Sequence, residues 1–164
     1  MIPDAPTFRF EIGPYWIQLP AHAEIAANVT RPSAPAHQVA WTDWVISLER
    51  FRFFVHLDSR LHLSDLKRLM DQTIKNDTRI TTIGVHGIFG VTHGDYGPPR
   101  TWIEWWFKKG DMMICLCLQS VTYPFTAPTP EEIAEHSAII QSIQYVPEMS
   151  GEGKPAAIPA GGST

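Results

Sequence analysis

Residues 101–120, TWIEWWFKKGDMMICLCLQS, hold three tryptophans and both cysteines of the chain. A bilayer-crossing helix needs about 18 or more nearly uninterrupted apolar residues. Glu104, Lys108, Lys109 and Asp111 break this run near its middle, where each charge would cost a few kcal/mol. The segment therefore reads as two strands. Lys109 and Gly110 join them, because glycine supplies the positive φ that a tight hairpin turn demands. On the first strand Trp102, Glu104, Trp106 and Lys108 share one face, and Ile103, Trp105 and Phe107 share the other. The second strand is apolar on both faces, with Met112, Ile114, Leu116 and Leu118 on one and Met113, Cys115 and Cys117 on the other. That pattern marks a central strand covered from both sides. Helices are expected over both faces of the sheet.

The rest of the chain supplies further strands. FRFEI (8–12) and YWIQL (15–19) flank Gly13 and Pro14 as a hairpin, and VAWTDWVISL (39–48) and RFRFFVHL (50–57) are aromatic and β-branched. RITTIGVHG (79–87) and GIFGVTHG (87–94) return to β character after a helical stretch, LSDLKRLMDQTIKN (63–76), whose Leu63, Leu66, Leu69, Met70 and Ile74 form one stripe. Residues 20–38 predict a loop with one helical turn near 22–27. A second helix is predicted over 129–143, where Thr129 and Glu132 form a capping box and Pro130 takes the favoured first helical position. The fold class is α+β, a mainly antiparallel sheet flanked by helices.

At 164 residues the chain is long enough for one domain with a substantial core. That domain is placed at 1–147. Residues 148–164 are small, polar and rich in Gly and Pro, too poor in apolar area to offset ordering entropy, and predict a flexible tail. The net charge of -4 and the scatter of the basic residues provide no stripe for a phosphate backbone, so nucleic acid is not an expected partner. MIPDAPTFRF carries no basic segment followed by an apolar one, and a cytoplasmic location is expected.

Cys115 and Cys117, two apart on a strand, have Cα atoms about 6.8 Å apart, the outer limit for a disulfide. They are expected to be buried thiols and not redox or metal ligands. The histidines show no ligand spacing, and no nucleophile elbow, dinucleotide or Walker motif is present. No metal or cofactor is expected. His136, on the apolar side of the second helix with Ile133, Ile140 and Ile143, reads as a hydrogen-bonded core or boundary residue.

Two surface sets compete for function. Trp102 and Trp106, flanked by Glu104 and Lys108, have the chemistry of an interface hot spot, unless a helix or the N-terminal segment covers them. This set points to non-enzymatic protein binding of an adaptor or chaperone-like kind, with another protein as partner and a second copy of the chain among the candidates. HGDYGPPR (93–100) instead gathers His93, Asp95, Tyr96 and Arg100 on one loop. That set suits a small-molecule or anion site, or an enzyme, while its bland reading is a hairpin loop with an Asx turn at Asp95.

The order of elements, from the hairpin ending in LP (19–20) through SDLKRLMDQTIK, ITTIGVHGIFGV and WIEWWFKKGDMMICLCLQ to EEIAEHSAIIQSIQY, resembles the Mog1/PsbP-like fold. The resemblance spans about residues 8–146. It implies an α/β/α sandwich and a binding or adaptor role of the kind some bacterial relatives play as chaperones, and it carries no catalytic residue onto this chain.

Overall fold

The tryptophan-rich and cysteine-bearing segments are antiparallel neighbours. β8 (Trp102–Lys109) pairs with β9 (Met112–Ser120), with Lys109 opposite Met112, so the two turn residues are Gly110 and Asp111. The turn thus falls one residue later than the sequence suggests. Gly110 has φ +67, and a Cβ there would lie 2.1 Å from the Tyr145 hydroxyl, so only glycine fits. Tyr15 secures the same turn: its hydroxyl donates to the Met112 carbonyl at 2.5 Å and accepts from the Lys109 amide at 3.0 Å.

The computed structural model describes residues 6–27, 44–58 and 80–146. The remaining strands are β1 (Thr7–Ile12), β2 (Tyr15–Pro20), β3 (Glu24–Ala27), β4 (Trp44–Ser47), β5 (Phe51–Asp58), β6 (Thr81–Val85), β7 (Ile88–Asp95) and β10 (Gln144–Tyr145). Among the described residues there is one helix, α1 (Pro130–Gln141). A seven-stranded sheet runs β3-β4-β5-β9-β8-β7-β6, and a three-stranded one runs β1-β2-β10. Every pairing is antiparallel.

β9 is the central strand, between β5 and β8, and Met113 through Leu118 are buried on both faces. Cys115 and Cys117 are buried thiols that form no disulfide, as their place on this strand implies. Burial pushes the Cys115 thiol pKa well up, so the reactive thiolate is disfavoured. On one face Ile114, Leu116 and Leu118 join Phe53, Val55, Ile103 and Phe107 in a core. Ile12, Tyr15, Ile17 and Leu19 of the small sheet, with Ile139, Ile140 and Ile143 at the end of α1, complete it. Each such aliphatic or aromatic side chain contributes about 1.5–3 kcal/mol on full burial. That face is covered by a helix and a second sheet, where helices alone were expected.

α1 starts as its sequence dictates. Thr129 Oγ1 accepts from the Glu132 amide at 3.1 Å, the Glu132 carboxylate accepts from the Thr129 amide at 2.8 Å, and Pro130 opens the helix. The segment near 22–27 differs from the helical turn predicted for it. Glu24–Ala27 is an edge strand paired with β4. All four of its side chains are exposed, so nothing in its own sequence marks it as β; the open edge of β4 supplies the hydrogen bonds that extend it. The predicted helix over 63–76, the first part of the strand predicted from 39 and the tail from 148 lie outside the described residues. Among the described residues no helix is long and apolar enough to cross a membrane.

Candidate functional site

At one end of the large sheet, the start of β5, the end of β7, the start of β8 and the end of β9 come level, with Phe51 opposite Ser120 and Trp102 opposite both Gln119 and Asp95. The first turn of α1 is fastened to this pole by Arg50. Its Nε donates to Glu132 Oε1 at 2.7 Å, its Nη2 pairs with Glu132 Oε2, and Nη2 also donates to the Ala127 carbonyl at 3.1 Å. This two-pronged bond holds the Glu132 carboxyl down to about pKa 2, against the opposing effect of burial. The Val121 amide donates to the Arg50 carbonyl, bringing the β9–α1 connection to the same place.

Beneath the ion pair lies an aromatic stack. His136 is 1% exposed. Its ring is 4.6 Å from that of Phe51 and lies nearly parallel to Tyr96, and its Nδ1 is 2.9 Å from the Tyr96 hydroxyl. Its Nε2 is buried and has no hydrogen-bond partner among the described residues. Desolvation lowers the His136 pKa to about 4, with the negative Glu132 opposing, so the imidazole is neutral at ordinary pH. Desolvation, helped by Glu132, pushes Tyr96 up to about 12. A neutral imidazole and an un-ionised phenol form a structural hydrogen bond here, with no acid or base poised near pH 7. His136 is thus the hydrogen-bonded core residue its helix position implied. Ile133, placed on the same apolar side, is instead exposed at the pole.

The loop candidates separate into different partnerships. His93 Nε2 pairs with Glu104 Oε2 at 2.5 Å across β7 and β8. Asp95 Oδ1 accepts from the Gly97 amide at 2.9 Å, an Asx turn. Tyr96 turns inward to His136, and Arg100 lies over the Trp102 ring at 5.1 Å. No two of the four side chains are hydrogen-bonded to each other among the described residues, and they do not converge on one point. Of the strand set, Trp102 is 37% exposed and Trp106 only 6%, with Glu104 and Lys108 intermediate.

A shallow cavity of about 160 Å³ opens beside the stack, lined by Leu48, Glu49, Arg50, Phe51, Glu131, Glu132, Glu135 and His136. Sequence reasoning missed it. Its walls come from the β4–β5 turn and from α1, and Arg50 and Glu132 stand 82 positions apart. The one local signal was a histidine on an apolar helix stripe two turns after a capping box.

No known family profile matches the chain, and no curated protein does. Among solved structures, cyanobacterial PsbP from Synechocystis sp. PCC 6803 superposes with a TM-score of 0.55 at 14% identity, over 88% of this chain and 95% of that one. The fold is PsbP-like. A Pseudomonas aeruginosa protein of unknown function aligns over 94% of this chain and 97% of its own at 11% identity, with a TM-score of 0.35. A PsbP-like fold at this identity fixes the arrangement of strands and helix, and leaves the activity to be argued from the pole itself.

Proposed function

We propose that this is a non-enzymatic protein-binding domain, an adaptor or chaperone-like module, and that it takes its partner at the pole around Arg50 and Trp102. One observation carries the reading. Of the seven exposed large apolar side chains among the described residues, four (Trp102, Val121, Tyr123 and Ile133) belong to the elements that meet there. Tyr123 is 98% exposed. Trp102 carries the Arg100 guanidinium over its ring, and Trp, Tyr and Arg are the residues most enriched at interface hot spots. Trp106 is buried in mid-strand, opposite Val91 and Cys115, so contact falls to Trp102 with Glu104 next along the same face, whereas Lys108, opposite Phe89, lies at the far end of the sheet. The partner suited to this pole is a protein segment with apolar anchors and basic residues, since the hydrogen bonds of Arg50 go to Glu132 and Ala127 and leave the carboxylates of Glu49, Glu131 and Glu135 to other cations.

The test is position-specific photocrosslinking in the source cells. A benzoylphenylalanine at Tyr123 should give a discrete protein adduct that Trp102→Ser abolishes without shifting the thermal transition. The same probe at Phe89, exposed at the far end of the sheet, should give none. Equal adducts from both positions, or none from Tyr123, overturn the reading.

A further inference from the structure

We propose that the cavity between the β4–β5 turn and α1 is a receptor for the cationic end of a lysine or arginine side chain, which Glu49, Glu131 and Glu135 attract and His136 Nε2 receives. The inference deepens the protein-binding reading and rests on it, because it names the chemistry the partner must present at the pole.

The cavity is acceptor-rich. Four of its eight lining residues are glutamates, and the one lining cation, Arg50, is already held by both oxygens of Glu132 and by the Ala127 carbonyl. Removing that pair leaves three carboxylates around one small opening. Acidic residues alone would be a solvated helix face. The buried imidazole makes the difference: His136 lines the cavity, its Nδ1 is committed to Tyr96, and its Nε2 is the buried polar atom left over. In the tautomer that donates Nδ1–H to the Tyr96 oxygen, Nε2 is a bare acceptor. An incoming N–H satisfies it and removes the penalty of a buried, unpaired polar atom.

Size and donor geometry narrow the occupant. About 160 Å³ is well below the roughly 300–1,000 Å³ of pockets that take drug-sized ligands, but it suits a guanidinium or ammonium head. Leu48 and Phe51 offer an apolar wall to the methylene stem. An organic cation suits the site because its apolar wall would lie against the stem of such a group and not against a bare ion. His22 Nε2 lies 3.5 Å from Glu135 Oε1, so an incoming cation shares that carboxylate with the His22 ring.

The experiment is a titration of the isotope-labelled full chain with N-acetylarginine amide at pH 7.5 and constant ionic strength, followed by NMR, with N-acetylnorleucine amide as the uncharged control. The expected result is a saturable response confined to residues 48–51 and 131–136, with the His136 ring nitrogens reporting Nδ1–H and a hydrogen-bonded Nε2. A Glu131→Gln, Glu135→Gln double variant with an unchanged thermal transition should weaken binding at least tenfold. Equal shifts with the norleucine probe, no shift at His136, or undiminished binding by the double variant overturns the proposal. The two readings fail separately. A crosslinked partner indifferent to the double variant sinks the receptor and keeps the adaptor. Arginine binding without any adduct from Tyr123 does the reverse.

Discussion

Two residues show how local chemistry fixes this domain. At Gly110 the backbone has φ +67 and the Tyr145 hydroxyl occupies the space a Cβ would need. Gly110→Ala should therefore destabilise by about 2 kcal/mol, more than the roughly 1 kcal/mol of left-handed backbone alone, measured by urea unfolding. A Tyr145→Ala background should recover part of the loss. At His136 the cost is one of protonation. Its pKa is lowered in the folded state to about 4 from the ordinary 6.5. The neutral form is thus favoured by folding, and its contribution is complete above 6.5 and lost as pH falls from there through 4, at most about 3 kcal/mol. Stability measured by denaturant at stepped pH should fall across that window. His136→Gln should flatten the slope between pH 6.5 and 4.5 and leave the lower limb, where Glu132 with its pKa near 2 loses its charge. An unchanged slope in the variant would assign the acid sensitivity elsewhere.

Among the elements, α1 is the one whose ends were written in its own sequence. Thr129, Pro130 and Glu132 form the predicted cap, because capping is an interaction over three residues and needs no tertiary partner. Glu132 carries a second load that spacing does not reveal, since both its oxygens also bind Arg50 on the β4–β5 turn. This separates two variants. Thr129→Ala removes only the cap and should cost about 1 kcal/mol. Glu132→Gln keeps a side chain able to complete the capping box but loses the charge on Arg50, and should loosen the contact between the helix start and β5. Hydrogen exchange at the Ile133 and Val121 amides would read this: faster exchange at both in Glu132→Gln, and mainly at Ile133 in Thr129→Ala. The strands were legible where alternation or two-sided burial is strong, as in β8 and β9. β3 was not, because Glu24–Ala27 is exposed on every side chain and is extended only by β4.

At the scale of the molecule, the site could not be read from the sequence, because its members come from separate stretches. Tyr96 and His136 are 40 positions apart, and the ion pair above them spans 82. Only the sheet register makes them neighbours. The loop 93–100 was singled out for its density of polar groups, yet register sends His93 across to Glu104 and Tyr96 down to His136, so nearness in sequence became separation in space. The same long-range wiring predicts how the domain unfolds. Ile139, Ile140 and Ile143 share one core with the small sheet and with β5, β8 and β9, so no layer on that face buries its apolar surface without the others. Ile140→Ala should cost about 2–5 kcal/mol. Its thermal transition should stay coincident when followed by helix circular dichroism and by tryptophan fluorescence, as a single cooperative unit requires. If the helical signal melts first while the fluorescence of Trp105, packed against Phe53 at 6.0 Å between ring centres, stays native, α1 is a separable layer.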